Sequence, residues 1–276
     1  MGAGTTDSSP PFPEDVLRQN PKDYSLTLAK GMAILEMFGA DVQHISYQTA
    51  ADHLGTSRAT ARRLILTLQA MGYLEKQGNE YTLTVKPLAI SRALLSSKSI
   101  LSILAEKVRC LSAKIDRPCS VVSLNGAEIL FLCRDPSRRV YASQLALGDQ
   151  LPAHASSGGK VLLSAMDDEA ILAWYVRYEP QPLSQRTITG PQAMLREAAQ
   201  IRAQGYAISD GELEEGLISL SVPVRDHFDK TRLALVVSQF TNLGSTEDFV
   251  REVLSHAQNA ADDISMTYAD YLRHSA

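Results

Sequence analysis

TSRATARRLILTLQAMGYLEKQGNEYTL, residues 56–83, is the stretch that decides the fold of the first part of this chain. Its apolar residues recur at helical spacing, which predicts a helix from about Ser57 to Met71 with one buried stripe. Gly72 follows at the position that commonly ends a helix. Beyond it, apolar and polar residues alternate on both sides of residues 77–79, which predicts a β-hairpin. The predicted buried stripe consists of Ala61, Leu64, Ile65, Leu68 and Met71.

Two shorter helical patterns precede this helix. One covers residues 26–38 after Ser25, and the other begins after Ser46, since serine is a preferred helix N-cap. Gly55 supplies the turn into the third helix. Three helices followed by a hairpin, with a tight turn before the third helix, predict a winged helix-turn-helix domain over residues 21–86. The apolar positions of the first two helices are Leu26, Ala29, Ala33 and Phe38, then Ala50, Ala51 and Leu54.

The polar side of the third helix carries a local excess of positive charge. The whole chain has a formal net charge of −4 at pH 7, which argues against nucleic-acid binding over its entire surface. In a helix-turn-helix, however, the start of the third helix enters the major groove, where hydroxyls bind phosphates and arginines read guanine. A solvated helix face is the alternative interpretation. The predicted contacts to double-stranded operator DNA are Thr56, Ser57, Arg58, Thr60, Arg62 and Arg63.

The rest of the chain predicts a linker and a second domain. A helical pattern from Leu88 to about Ile115 predicts a linker helix within residues 87–117, with Ile100, Leu104, Val108, Leu111 and Ile115 on one stripe. Strands and helices then alternate, starting with a hairpin around Asn125-Gly126-Ala127. We therefore expect an α+β fold in which residues 118–276 form an effector-binding domain on an antiparallel sheet with flanking helices. Residues 1–20 are predicted to form a disordered tail.

Composition favours a cytoplasmic globular protein. Hydrophobic residues make up 45% and charged residues 21% of the chain, and no apolar run approaches the ~18–20 residues that cross a bilayer. The first residues have no secretory signal pattern, so neither export nor a membrane partner is expected. The three cysteines, an odd number, are expected to be reduced, buried small hydrophobes: Cys110, Cys119 and Cys133.

Residues 156–160, SSGGK, lead into an apolar helical run. Small residues before a helix leave backbone N–H groups accessible, and the start of a helix favours negative charge, so a carboxylate can bind there. The loop is not a P-loop, because Lys160 is followed by Val161. A tight turn whose glycines allow close packing is the alternative. Phe131, Leu145 and Leu151 are candidate apolar walls, and simple core packing is the alternative for them.

An enzyme is the main rival from another class. Neither G-x-S-x-G nor H-E-x-x-H occurs, and no pair of histidines or cysteines has metal-ligand spacing, so we predict no catalytic residue, no metal and no cofactor. His154, close to Ser156 and Ser157, is the only neighbourhood that suggests a hydrolase. A winged-helix module that mediates only protein contacts is the second rival function.

Four runs carry a resemblance across about residues 24–265: LAKGMAILEMF, AADHLGTSRATARRLILTLQAMGYLE, LPAHASSGGKVLL and IRAQGYAISDGELEEGLISLSVPVRD. In this order they resemble the IclR family of transcriptional regulators. SRATARRLILTLQAMGYL is closest to the branch that regulates breakdown of aromatic acids such as protocatechuate and 4-hydroxybenzoate. The resemblance implies a linker helix that dimerises, an effector domain that binds small carboxylates, and assembly as a homodimer or a dimer of dimers.

The resemblance also implies which residues form the effector site. On the predicted strand at 217–222, Ser219 and Ser221 share one face with Leu217. Ile218, Leu220 and Val222 lie on the opposite face. The acidic residues Asp210 and Glu212 are also implied, and the alternative for them is a solvated loop. Two features depart from the family: Gly158 stands where serine is frequent, and the loop DHFDKTR lacks the glycine of a tight hairpin. The implied effector residues are Ser156, Ser157, Gly158, Gly159, Asp210, Glu212, Leu217, Ser219 and Ser238.

Overall fold

The chain divides into two units, Met1–Ala93 and Leu94–Ala276, and each unit has its own hydrophobic core. The computed structural model describes residues 24–39, 42–95, 100–136 and 145–275. The predicted tail therefore lies outside the described residues. Across these ranges, no helix combines the length and the apolar character that a bilayer crossing requires.

The first unit follows the predicted order of three helices and a hairpin. Each of its first three helices begins after a serine whose side chain accepts a hydrogen bond from a backbone N–H, which satisfies one of the unpaired donors of the first turn. These caps are Ser25 and Ser46, as the sequence predicts, and Ser57, which was predicted as the first residue of the third helix. The elements are α1 (Leu26–Glu36), α2 (Tyr47–His53), α3 (Arg58–Ala70), β1 (Leu74–Gln77), β2 (Glu80–Leu83) and α4 (Pro87–Leu95).

The core of the first unit confirms most of the predicted stripe of α3. Ala61, Ile65 and Leu68 are buried, and Leu64 is half-buried against the same core. Met71 was predicted in this stripe but is 51% exposed, because α3 ends at Ala70 and the chain turns at Gly72 with φ +79°. The prediction for Leu26 was also wrong.

Leu26 is 42% exposed because it lies in the first turn of α1, before the helix reaches the core. Helix α1 instead buries Ala33 and Ile34. Ala29 and Phe38 are half-buried, whereas Ala50, Ala51 and Leu54 are buried as predicted.

The second unit is a six-stranded antiparallel sheet, in the order β5-β4-β3-β8-β7-β6, with helices on both faces. The predicted α+β class is confirmed. Two of its strands were not predicted, because β5 has three residues and β6 has four, too short for a pattern of alternation. The strands are β3 (Cys119–Asn125), β4 (Glu128–Asp135), β5 (Gln150–Pro152), β6 (Ala207–Asp210), β7 (Leu217–Arg225) and β8 (Thr231–Phe240). The helices are α5 (Ile100–Ile115), α6 (Ser157–Ser164), α7 (Asp168–Tyr178), α8 (Pro191–Gln204) and α9 (Thr246–Ser275).

Alternation along β7 separates the two faces of this sheet. Ile218, Leu220 and Val222 pack with α5 and α9, whereas α6, α7 and α8 pack over the opposite face. Ser219 and Ser221 lie on that opposite face, where both bond the Ser157 side chain of α6. The predicted division of the strand between an apolar and a hydroxyl-bearing face is confirmed.

In the region of the predicted linker helix, the structure contains two helices, α4 and α5. Residues 96–99 between them lie outside the described ranges. The stripe of α5 is confirmed, because Leu104, Val108, Leu111 and Ile115 are buried against the sheet and Ile100 is half-buried beside them. The prediction that all three cysteines are buried was wrong for Cys110, which lies on the exposed side of α5. Cys119 and Cys133 are buried, and burial raises the pKa of both thiols.

The loop DHFDKTR closes the β7–β8 hairpin without a glycine, because Asp229 itself adopts the left-handed conformation with φ +58°. The buried Asp226 carboxylate holds the turn by accepting hydrogen bonds from Phe228 N–H, Lys230 N–H and Arg232 Nε–H. Burial opposes the charged form, but the bond to Arg232 and the two backbone bonds prevail and lower the pKa of Asp226 to about 2.

Asp226→Asn is expected to lower the free energy of unfolding by about 1–3 kcal/mol at about pH 5–7. The amide oxygen can still accept from the two backbone N–H groups, but the amide nitrogen that replaces Oδ2 cannot accept from Arg232. Because the folded-state pKa lies below the ordinary 3.8, this stabilisation is complete above pH 3.8 and disappears as pH falls toward about 2. Urea unfolding of both proteins between about pH 3 and pH 7 measures this difference. Asp229→Asn is the control, because asparagine tolerates the same backbone conformation. If the difference in free energy of unfolding between wild type and Asp226→Asn grows as pH falls, the Asp226 carboxylate does not stabilise the turn in this way.

Candidate nucleic-acid interface and effector cavity

The start of α3 presents an exposed cationic surface. The Ser57 hydroxyl caps the helix by accepting from Thr60 N–H at 3.2 Å, and it lies 3.0 Å from the Thr60 hydroxyl. Arg58, Arg62 and Arg63 are exposed, and within the described residues none of them forms an ion pair. Their guanidinium groups can therefore contact phosphates or base edges without breaking a protein contact.

One cation that the sequence prediction did not include lies near this surface. Lys30 of α1 donates to the Thr56 hydroxyl at 3.3 Å, which brings its ammonium to the turn before α3. This contact could not be predicted from local sequence patterns, because Lys30 and Thr56 are 26 residues apart. Lys76 is exposed on β1 of the hairpin, opposite Tyr81 of β2.

The hairpin is fixed to the helices through Tyr81. Its backbone forms a bridge with Ile45, and its hydroxyl bonds the hydroxyl of Tyr47 at the start of α2. The pKa of Tyr81 is raised to about 12, mainly by burial and secondly by the hydrogen bond to Tyr47. The side chain therefore stays neutral at physiological pH. The turn of the hairpin occurs at Gly78, whose φ is +62°.

A cavity of about 390 Å³ lies in the second unit, between the start of α6 and the adjoining face of the sheet. It contains a polar wall of serines on α6, β7 and β8 and an apolar wall that includes Phe131, Leu145 and Leu151. Six of the nine effector residues that the sequence implied line it: Ser156, Ser157, Gly158, Leu217, Ser219 and Ser238.

The start of α6 supplies unpaired hydrogen-bond donors to this cavity. Ser156 caps the helix by accepting from Gly159 N–H at 3.1 Å, and its carbonyl accepts from Lys160 N–H. The N–H groups of Ser157 and Gly158 belong to the first turn, where a helix has no internal acceptor, and no described residue accepts from them. They lie at the positive end of the helix dipole.

Glycines allow α6 to approach its neighbours closely. A Cβ on Gly159 would lie 2.0 Å from the carbonyl oxygen of Ala153, and one on Gly158 would lie 2.8 Å from the Val122 side chain. The close-packing interpretation of the SSGGK segment is thereby confirmed, and carboxylate binding there stays a prediction. Ser157 and Gly158, at the start of this closely packed helix, line the cavity.

Gly159, Asp210 and Glu212 do not line the cavity, in contrast to the implied set. Gly159 faces Ala153, as its close approach requires. Asp210 pairs with the Arg186 guanidinium at 2.9 Å and accepts from the Thr246 hydroxyl at 2.8 Å. Both carboxylate oxygens of Asp210 therefore bind protein groups, in contrast to the alternative of a solvated loop.

Glu212 is instead a partner of Lys160, which is buried just after the glycines. The Lys160 ammonium donates to Glu212 at 2.5 Å, to Glu197 at 2.9 Å and to the Ile208 carbonyl at 2.8 Å. Burial raises the pKa of Glu212 although Lys160 opposes the shift. A fully buried ammonium requires such partners, so these carboxylates hold α6, α8 and the loop after β6 together.

Several cavity residues have no predictive signal in the sequence. Leu213 and Glu214 follow the implied Glu212 directly, whereas Pro118 and Arg134 come from the ends of strands β3 and β4. His154 donates from Nε2 to the Gln181 carbonyl at 3.0 Å, rather than pairing with a serine. The described part of the chain also contains no group of histidine, cysteine or acidic side chains that could hold a metal ion.

Comparison with known proteins agrees with both halves of this arrangement. The family model described as IclR helix-turn-helix domain matches residues 27–78, and the model described as bacterial transcriptional regulator IclR C-terminal matches residues 92–266. The p-hydroxybenzoate hydroxylase transcriptional activator of Acinetobacter baylyi is 34% identical over 248 residues, which cover 88% of this chain and 92% of that protein.

Two further similarities concern the aromatic-acid branch. The Pca operon regulatory protein of the same organism is 34% identical over 247 residues, covering 88% of this chain and 89% of that protein. The crystal structure of a double mutant of the PobR inducer-binding domain from Acinetobacter, in complex with 3-hydroxybenzoic acid, has a TM-score of 0.56 at 30% identity. It covers 59% of this chain and 96% of that one. With its two domains matched in order, this chain belongs to the IclR family of bacterial transcriptional regulators.

Proposed function

We propose that this regulator responds to a small aromatic carboxylic acid bound in the cavity at the start of α6, and controls an operon for breakdown of an aromatic compound. The unpaired N–H groups of Ser157 and Gly158, facing an apolar wall, carry the proposal. A carboxylate satisfies these donors and gains from the helix dipole, while a ring packs against Phe131 and Leu151. The p-hydroxybenzoate in the name of one Acinetobacter baylyi relative and the 3-hydroxybenzoic acid bound to the PobR domain support the same ligand class.

The size and lining of the cavity favour a single ring. Ligand cavities commonly span about 300–1,000 Å³, and this one, at about 390 Å³, is near the lower limit. Serine hydroxyls from Ser219 and Ser238 stand on paired positions of β7 and β8, where they can bind ring hydroxyl groups. A hydroxybenzoate combines these features, with one carboxylate, one flat apolar ring and one or two hydroxyls.

DNA binding is assigned to the start of α3. In the proposed homodimer, two such helices enter successive major grooves about 34 Å apart, so the operator is roughly palindromic. Arg58, Arg62 and Arg63 provide the phosphate and base contacts, and Thr56, Ser57 and Thr60 provide hydroxyls near the backbone. Effector binding changes operator affinity because the effector has different affinities for two arrangements of the protein.

Ser238→Leu is expected to weaken hydroxybenzoate binding at least about tenfold, since the larger side chain fills the cavity and removes a hydroxyl. Ser238 is preferred to Ser156 for this test because the Ser156 hydroxyl caps α6. Calorimetric titration of the full chain with benzoate, 3-hydroxybenzoate, 4-hydroxybenzoate and protocatechuate measures the affinities. Ser255→Leu, at an exposed position of α9, is the matched control and should bind as the wild type does.

Two outcomes of the titration contradict the proposal. In one, none of the four acids binds the wild type while aliphatic acids do, which assigns another ligand class to the cavity. In the other, Ser238→Leu binds a hydroxybenzoate as tightly as Ser255→Leu does, which places the aromatic acid elsewhere.

A further inference from the structure

We propose that the three residues between α5 and β3, the junction segment Asp116–Pro118, transmit effector binding to the linker helix, and that Arg117 holds this segment to the cavity wall. The inference rests on the proposed function, because it requires a ligand in the cavity. It adds a positioning residue that contacts neither the ligand nor DNA.

The linker helix ends beside the cavity. Helix α5 finishes at Ile115, and Pro118 already lines the cavity. The carbonyl of Pro118 accepts from the N–H of Ser238, another cavity residue, at 3.1 Å. A displacement of β8 at Ser238 therefore moves the backbone that directly follows the linker helix.

Arg117 fastens the junction segment on the opposite face of the sheet. Its residue exposure is 8%, and its guanidinium donates from Nε to Gln239 Oε1 at 3.2 Å and from Nη2 to Glu252 Oε2 at 3.0 Å. Gln239 is the neighbour of Ser238 on β8 and also borders the cavity. Because a buried guanidinium that loses its partners is costly, Arg117 follows Gln239 when β8 moves.

The junction segment is held by these contacts rather than by its own backbone preference. Asp116 has φ +51°, a conformation that is uncommon for residues other than glycine, and its carbonyl accepts from Arg117 Nη1 at 3.1 Å. One turn earlier on α5, Ser112 donates to Asp135 of β4 at 2.7 Å, next to the cavity residue Arg134. The end of the linker helix is thus bonded to β4, and the junction segment that follows it is bonded to β8.

Arg117→Gln is expected to uncouple the two sites while leaving each functional. Lysine would be a poor replacement, since only the guanidinium fork reaches three acceptors in different directions. The full chain is titrated into a fluorescent duplex, selected from random sequence by the wild type, with and without saturating hydroxybenzoate. We expect the ligand to change wild-type duplex affinity on the order of tenfold, and the Arg117→Gln affinity by less than about twofold.

Two accompanying proteins make this result specific. Gln239→Met removes the acceptor of Arg117 without removing the guanidinium, and should also uncouple, which keeps the test valid if Arg117→Gln does not fold. Lys107→Met breaks another ion pair, Lys107 with Asp263 at 2.5 Å, that also joins α5 to α9 but lies away from the cavity. This control should respond to ligand as the wild type does, and both Lys107→Met and Arg117→Gln should bind hydroxybenzoate within about threefold of wild type. Because Gln239 borders the cavity, the Gln239→Met response is measured at a ligand concentration that its own titration shows to be saturating.

The outcomes separate this inference from the proposed function. Failure of every aromatic acid to bind the wild type contradicts the proposed function and the inference with it. If the wild type binds and responds, retention of its full response in Arg117→Gln or Gln239→Met overturns the inference alone. Loss of the response in Lys107→Met as well also overturns it, because any weakening of the α5–α9 contact would then suffice.

Discussion

Gly159→Ala is expected to lower the free energy of unfolding of the second unit by about 3 kcal/mol or more. The new Cβ would lie 2.0 Å from the Ala153 carbonyl oxygen and 2.4 Å from its Cα, and backbone atoms cannot move aside as a flexible side chain can. Helix α6 must therefore separate from the turn that precedes it, which disrupts the wall that carries Ser156 and Ser157.

The predicted destabilisation has the opposite sign to the effect expected from helix propensity. Helix propensity alone predicts the reverse, because alanine in place of glycine within a helix stabilises by about 0.5–1 kcal/mol. Urea unfolding followed by circular dichroism measures the difference. Gly190→Ala is the matched control, since Gly190 has φ −93° and no heavy atom within 4 Å of an added Cβ. A Gly159→Ala protein as stable as this control would show that the close approach is wrong.

Local signals in the sequence predicted the elements that local physics determines. Ser25 and Ser46 mark helix starts because a side-chain acceptor at an N-cap acts within three residues. Alternation along β7 predicted which side chains share a face, because that period is a property of the strand itself. Family resemblance then added six residues that the structure brings to one cavity.

Contacts between distant residues could not be predicted in this way. Lys160 and Glu212 are separated by 52 residues, and nothing near either one indicates that the fold buries them as partners. Glu212 was accordingly placed in the effector site, although its charge belongs to the ion pair beside that site. The same reason applies to Arg117 and Gln239, which lie 122 residues apart.

The double variant Arg62→Ala/Arg63→Ala is expected to lose about 100-fold in operator affinity with little change in Tm. A bidentate contact from arginine to a base contributes about 1–3 kcal/mol, and two lost contacts of about 1.4 kcal/mol each give that factor. Stability should hold because both side chains are exposed, and substitutions at such surface positions usually change it by less than about 0.5 kcal/mol. Arg196→Ala, at an exposed position of α8, is the control for charge loss away from α3.

Fluorescence anisotropy of the selected duplex and a scrambled duplex, between about 50 and 200 mM salt, tests the assignment of α3 as the reading helix most directly. We predict that the wild type prefers the selected duplex by roughly 10³-fold or more and that the double variant loses most of this preference. Its salt slope should also fall by about 0.9 for each phosphate contact removed. Equal affinity of wild type and double variant for the selected duplex, at every salt concentration, would contradict this account.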